Sequence, residues 1–182
     1  MNLPNKITMM RIVLIPFFAF FMLTDFLPGS NYIAAAIFVI ASLTDTLDGY
    51  LARKYNLVSN FGKFVDPLAD KLLVSTALIC FVAIPENPMP VWGVILIIGR
   101  DFIISGFRLV AADEGIVIAA SWWAKVKTAV QMVMSVILII NLDNEIMNIV
   151  EYVFIYTAIV LTVVSLVEYL YKNRSVLADS NM

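Results

Sequence analysis

The chain of 182 residues is 62% hydrophobic and only 14% charged, with no histidine and a single cysteine, Cys80. Soluble domains run nearer half apolar and a quarter charged, and the mean hydropathy of +0.92 points the same way. This composition excludes an ordinary soluble domain, a disulfide framework, an imidazole-based metal site and a thiolate cluster. The net charge of −2 is close to neutral, no nucleic-acid partner is expected, and the length is that of one domain.

A helix that crosses the hydrocarbon core needs about 20 mostly apolar residues. Six segments fit: 7–23, 32–52, 61–83, 91–112, 122–140 and 147–170. The first follows Lys6 and includes Arg11. It lacks a small-x-small cleavage pattern, so it reads as an uncleaved span rather than a signal peptide. Turn-forming stretches separate the spans: 24–31 with Pro28 and Gly29, 85–90 with three prolines, and the short polar 141–144. Cys80 lies in an apolar run and reads as an inert buried thiol. The polar tail after Tyr171 is expected to fray.

The Lys and Arg residues are Lys6, Arg11, Arg53, Lys54, Lys63, Lys71, Arg100, Arg108, Lys125, Lys127, Lys172 and Arg174. None falls in the loops after the first, third and fifth spans, which carry Asp25, Glu86, Asp143 and Glu145 instead. The excess of positive charge on one side places that side, and both termini, in the cytoplasm. Trp92 suits the outer interface, and Trp122 and Trp123 the inner one. Asn173-Arg174-Ser175 matches a glycosylation triplet, but on this topology it faces the cytoplasm and reads as coincidence.

Ionisable residues inside a span are costly and mark function by default. Asp45 lies roughly 20 Å along the second span, at 1.5 Å per residue. Asp48 follows at i+3 on the same face. Asp66 and Asp70, spaced i, i+4, lie roughly 9 Å and 15 Å into the third span. A short cytoplasmic loop makes these spans antiparallel neighbours, so their acidic faces can meet in one cavity open to the cytoplasm. Four carboxylates at close range raise one another's pKa, and two divalent cations would neutralise them. With only hard oxygen ligands available, Mg2+, Mn2+ or Ca2+ is favoured over Zn2+. Paired metals typically clamp a phosphoryl group during displacement. The structural alternative pairs the aspartates with Arg53, Lys63 and Lys71.

Written out, the stretch is Asp45-x-x-Asp48-Gly49-x-x-Ala52-Arg53, then eight residues, then Gly62-x-x-x-Asp66-x-x-x-Asp70. It resembles the signature of the CDP-alcohol phosphotransferase family at every fixed position. The resemblance implies an all-α, six-helix transmembrane bundle with a short N-terminal interfacial helix or helix extension. It also implies a homodimer, and two divalent cations, Mg2+ or Mn2+, held by Asp45, Asp48, Asp66 and Asp70. Asp70 would be the general base. The CDP moiety would pack against Asp48, Gly49, Ala52, Arg53 and Gly62, with Asn5 and Thr8 nearby. Small residues permit close approach, Arg53 offers a planar fork of donors to phosphate, and Gly62 sits where free helix amides can meet an anion.

Arg11, Arg100, Arg108, Lys125 and Lys127 exceed what topology requires and suggest an anionic acceptor. Lys125 and Lys127 can also be read as flanking charge, and Arg100 as half of a structural pair with Asp101. Two looser stretches, from Leu3 to Arg11 and from Gly99 through Arg108 to Thr128, resemble bacterial family members whose acceptor is sn-glycerol 3-phosphate. The implied donor is CDP-diacylglycerol, the products phosphatidylglycerol phosphate and CMP, and the location the bacterial cytoplasmic membrane, with the site on its inner side. An inositol phosphate acceptor is the enzymatic rival. A divalent-cation transporter is the rival from another class, although no internal repeat is visible.

Overall fold

Among the described residues, the computed structural model contains six helices: α1 (Leu3–Leu23), α2 (Ser30–Lys54), α3 (Asn60–Ala83), α4 (Val91–Asp113), α5 (Trp122–Ile140) and α6 (Glu145–Lys172). Described are residues 3–24, 26–54, 60–113, 118–119, 121–142 and 144–174. Within these, the side chains of 3, 4, 45–54, 60–64, 66, 67, 112 and 113 lie outside the description. The chain forms two compact units, Met1–Asn87 with Ser135–Leu142, and Pro88–Met134 with Asp143–Met182.

In the first unit, α1 packs on both α2 and α3, and α2 also meets α3. Buried Ala34, Ala41, Ala69 and Ala77 keep the facing surfaces small, which lets helix backbones approach where lipid gives no hydrophobic push. Phe18 and Phe38 interlock with ring centroids 5.8 Å apart. The α1–α2 turn uses Gly29 at φ +83°, a conformation that costs glycine little. Ser30 Oγ then donates to the Leu27 carbonyl at 2.8 Å and accepts from the Leu27 amide at 3.2 Å. Helix α1 runs unbroken from Leu3, so the N-terminal segment extends the first long helix. Pro4 suits its opening turn, where no intrahelical partner is needed for the missing N–H.

In the second unit, α4 packs on α6. Gly93 sits so close to Ile159 that an added Cβ would lie 2.7 Å from Ile159 Cδ1. Further along both helices, Phe107 and Tyr169 meet edge to face at 5.7 Å. The two contacts advance together along both sequences, so α4 and α6 run parallel. The buried stripe of α6 includes Thr162 and Ser165, whose hydroxyls donate to the carbonyls of Ala158 and Thr162 at 2.7 Å and 3.0 Å. Asn144 caps the start of α6 by accepting from the Ile146 amide. Asn173 closes its end, with backbone N–H and Nδ2 both donating to the Tyr169 carbonyl.

Among the described residues, three helical stretches are long and apolar enough to cross a membrane: Asn5–Leu23, Trp122–Ile140 and Glu145–Lys172. Helices α2, α3 and α4 have 25, 24 and 23 residues, and even the shortest is roughly 34 Å long. Their ionisable residues lower their hydropathy, and these include the aspartates and arginines that the sequence marks as functional. Large apolar side chains such as Phe17, Ile40, Ile95, Leu109 and Val160 stand exposed, as lipid-facing positions do.

Candidate active site

Helix α2 places Asp45 and Asp48 one turn apart, and α3 does the same for Asp66 and Asp70. The side chains of Asp45, Asp48, Ala52, Arg53 and Asp66 lie outside those described, as do the surroundings of Gly49 and Gly62. Asp70 is half-buried and engaged in interactions of its own.

The Phe18–Phe38 contact fixes the register of the antiparallel α1–α2 pair. Seven residues back from Phe18 is Arg11, and seven on from Phe38 is Asp45. Ten residues in the same two directions give Thr8 and Asp48. The polar end of α1 therefore stands level with the acidic turn of α2. Asn5, Thr8 and Arg11, at i, i+3 and i+6, are all buried, Arg11 completely, and all three are engaged. A guanidinium removed from solvent is tolerated only with compensating partners, and Arg11 is engaged.

The second unit treats the other cations differently. Asp101 accepts from Lys127 Nζ through both carboxylate oxygens at 2.8 Å and from Arg100 Nη1 at 3.0 Å. Lys127 and Arg100 are both buried. Of the two readings of Arg100, the ion pair with Asp101 is present. Lys127 is a buried partner of the same carboxylate and not a solvated flanking charge. Lys125, two residues earlier in the first turn of α5, is exposed. Arg108 lies over the ring of Tyr169, 5.9 Å from its centroid, and has no ion pair among the described residues.

Sequence reasoning noticed Asp101 only as a neighbour of Arg100, because its second cation lies 26 residues away on another helix. It missed Tyr169 altogether. The available signal was the spacing of polar residues Thr162, Ser165 and Tyr169 along one face of α6.

The CDP-alcohol phosphatidyltransferase family model matches residues 1–164. The chain belongs to this family. It is similar along its whole length to curated CDP-diacylglycerol--glycerol-3-phosphate 3-phosphatidyltransferases. That of Bacillus subtilis is 47% identical over 99% of both chains. That of Haemophilus influenzae is 39% identical over 98% of this chain and 97% of the relative. That of Yersinia enterocolitica is 40% identical over 93% of each. The transferase is an enzyme and, with its apolar helices, an integral membrane protein.

Proposed function

We propose that this transferase moves the phosphatidyl group of CDP-diacylglycerol to sn-glycerol 3-phosphate, giving phosphatidylglycerol phosphate and CMP. The observation that carries the reading is full-length similarity to relatives bearing that name, joined to a complete signature on two neighbouring helices.

The donor set suits a divalent metal site. Asp45, Asp48, Asp66 and Asp70 offer only hard oxygen, from helices that touch each other and both pack on α1. These four would hold two divalent cations, Mg2+ or Mn2+. Such ions supply charge neutralisation to a diphosphate and to its developing negative charge. Gly49, Ala52, Arg53 and Gly62 would receive the nucleotide with Asp48, together with Asn5 and Thr8 of α1.

Asp70 acts as the general base. It takes the proton from the acceptor hydroxyl, whose oxygen forms a bond to the phosphatidyl phosphorus. The bond from that phosphorus to the CMP oxygen breaks, and CMP leaves with the electron pair. No covalent enzyme intermediate is required.

Arg108 is the leading ligand for the acceptor phosphate, because no carboxylate among the described residues pairs with it. Arg11 and Lys125 add positive potential. Arg100 and Lys127 act through Asp101 as a fixed part of the scaffold beside it. The site opens to the cytoplasm, where both termini also lie, in the bacterial cell membrane, and the active form is a homodimer.

The test is CMP release from CDP-diacylglycerol by purified protein, with Mg2+ or Mn2+, and with or without chelator. Parallel arms contain glycerol 3-phosphate, an inositol phosphate, serine or no acceptor. Metal-dependent release with glycerol 3-phosphate alone is expected. Release only with another acceptor would overturn the headgroup assignment, and none at all from folded protein would overturn the reaction.

A further inference from the structure

We infer that Tyr169 is a positioning residue for the acceptor anion, acting through Arg108. The inference rests on the reading of Arg108 as a ligand of the acceptor phosphate. Its own observations are geometric. The Arg108 guanidinium lies over the Tyr169 ring at 5.9 Å, within the range in which a ring face attracts a cation. Tyr169 is 4% exposed, and Phe107 braces it edge to face at 5.7 Å. Its backbone carbonyl is fixed by Asn173, which donates to it twice at the end of α6. The ring beneath the guanidinium is thus braced by Phe107, and its backbone is fixed at the end of α6.

The contrast with the neighbouring cations gives the arrangement its meaning. Arg100 and Lys127 meet a carboxylate, which orients them and cancels their charge together. A ring face orients a cation without neutralising it. Arg108 Nε is buried with no hydrogen-bond partner among the described residues. Leaving buried donors unmade is costly unless something else completes them. A guanidinium held over a ring, charged and incompletely bonded, is poised for an anion arriving at the cytoplasmic end of α4 and α6. The chemistry selected is a phosphate monoester.

The experiment compares R108A, Y169F, Y169L and the double variant R108A/Y169L. Each is assayed for acceptor KM, donor KM and kcat, with thermal unfolding in detergent as the measure of folding. Y169L is expected to raise the KM for glycerol 3-phosphate by roughly five- to tenfold, the scale of one partly desolvated cation–ring contact. The KM for CDP-diacylglycerol stays unchanged. Y169F keeps the ring and stays within about twofold of the parent, and R108A/Y169L is no worse for acceptor KM than R108A alone. If R108A leaves the acceptor KM unaltered, the underlying reading of Arg108 fails. If R108A raises it but Y169L does not, or if the two effects multiply, the positioning role of Tyr169 is refuted while that reading stands. A Y169L variant that changes both KM values and unfolding temperature together marks Tyr169 as packing only, which also overturns the inference.

Discussion

Lys127 Nζ lies 2.8 Å from each carboxylate oxygen of Asp101, and the lysine side chain that reaches there is only 2% exposed. The carboxylate on α4 therefore holds the first half of α5 by charge. Asp101 also receives Arg100, so one anion serves two buried cations. Removing it is predicted to cost more than removing either cation. Asp101→Asn strands Lys127 in a low-dielectric setting, and breaking a buried pair in this way typically costs about 3–5 kcal/mol. A marked fall in unfolding temperature is expected, with partial recovery in D101N/K127M. A double variant as unstable as D101N would show that the charge of Lys127 is not what Asp101 balances.

The close approach of α4 to α6 gives a second prediction. A Cβ at Gly93 would meet Ile159 Cδ1 at 2.7 Å, with Ile159 Cγ1 and Pro90 Cγ at 3.3 Å. Gly93→Ala is expected to destabilise by about 1–2 kcal/mol, the usual scale of modest overpacking. Ile159→Val removes the offending methyl, so G93A/I159V should regain most of the loss in thermal unfolding. Simple addition of the two single effects would mean that the helices part elsewhere.

Asp70→Asn separates chemistry from folding. Turnover is expected to fall by roughly 10²–10⁴-fold, the scale of a lost general base. The unfolding temperature and its increase on adding Mg2+ should stay largely intact, because three carboxylates and the amide oxygen still offer ligands. In the parent protein, chelation should abolish CMP release and lower the unfolding temperature together. Preserved lipid synthesis in D70N would eliminate Asp70 as the base.

The distribution of Lys and Arg predicts which loops face out. Single cysteines introduced at Asp25 and Glu86, in a Cys80→Ala background, should react with a membrane-impermeant maleimide in intact cells. A cysteine at Lys54 should react only after the cells are opened. The reverse pattern would invert the proposed orientation and move the site to the outer face.

How far the sequence reaches depends on whether a residue's cost is visible locally. Asp45, Asp48, Asp66 and Asp70 stand out because each is expensive in a span and each pair recurs within one helical turn. Asn5, Thr8 and Arg11 repeat every third residue, but the sequence marks Asn5 and Thr8 only through the family resemblance, and their burial appears only in the fold. The six helices follow from apolar runs and the turns between them. Asp101–Lys127 is not legible, because the pairing spans 26 residues and depends on which faces of α4 and α5 meet. Tyr169 is hidden among seven tyrosines, and only its place beneath Arg108 distinguishes it. Lys127 reads as an ordinary inner-face charge until the rotation of α5 buries it.

The burial of Arg11 bears on how the protein is made. Helix α1 leaves the ribosome before α2 and α3, yet it packs on both. Until both of those have been synthesised, its polar end has no proteinaceous shelter, and lipid is a poor substitute for a guanidinium. The opening segment must wait near the membrane surface, or inside the insertion machinery, while some sixty further residues are translated. A chain stalled before α3 would thus expose an unshielded arginine. Recognition of that intermediate by quality-control proteases would track the length of the nascent chain rather than the stability of the finished bundle.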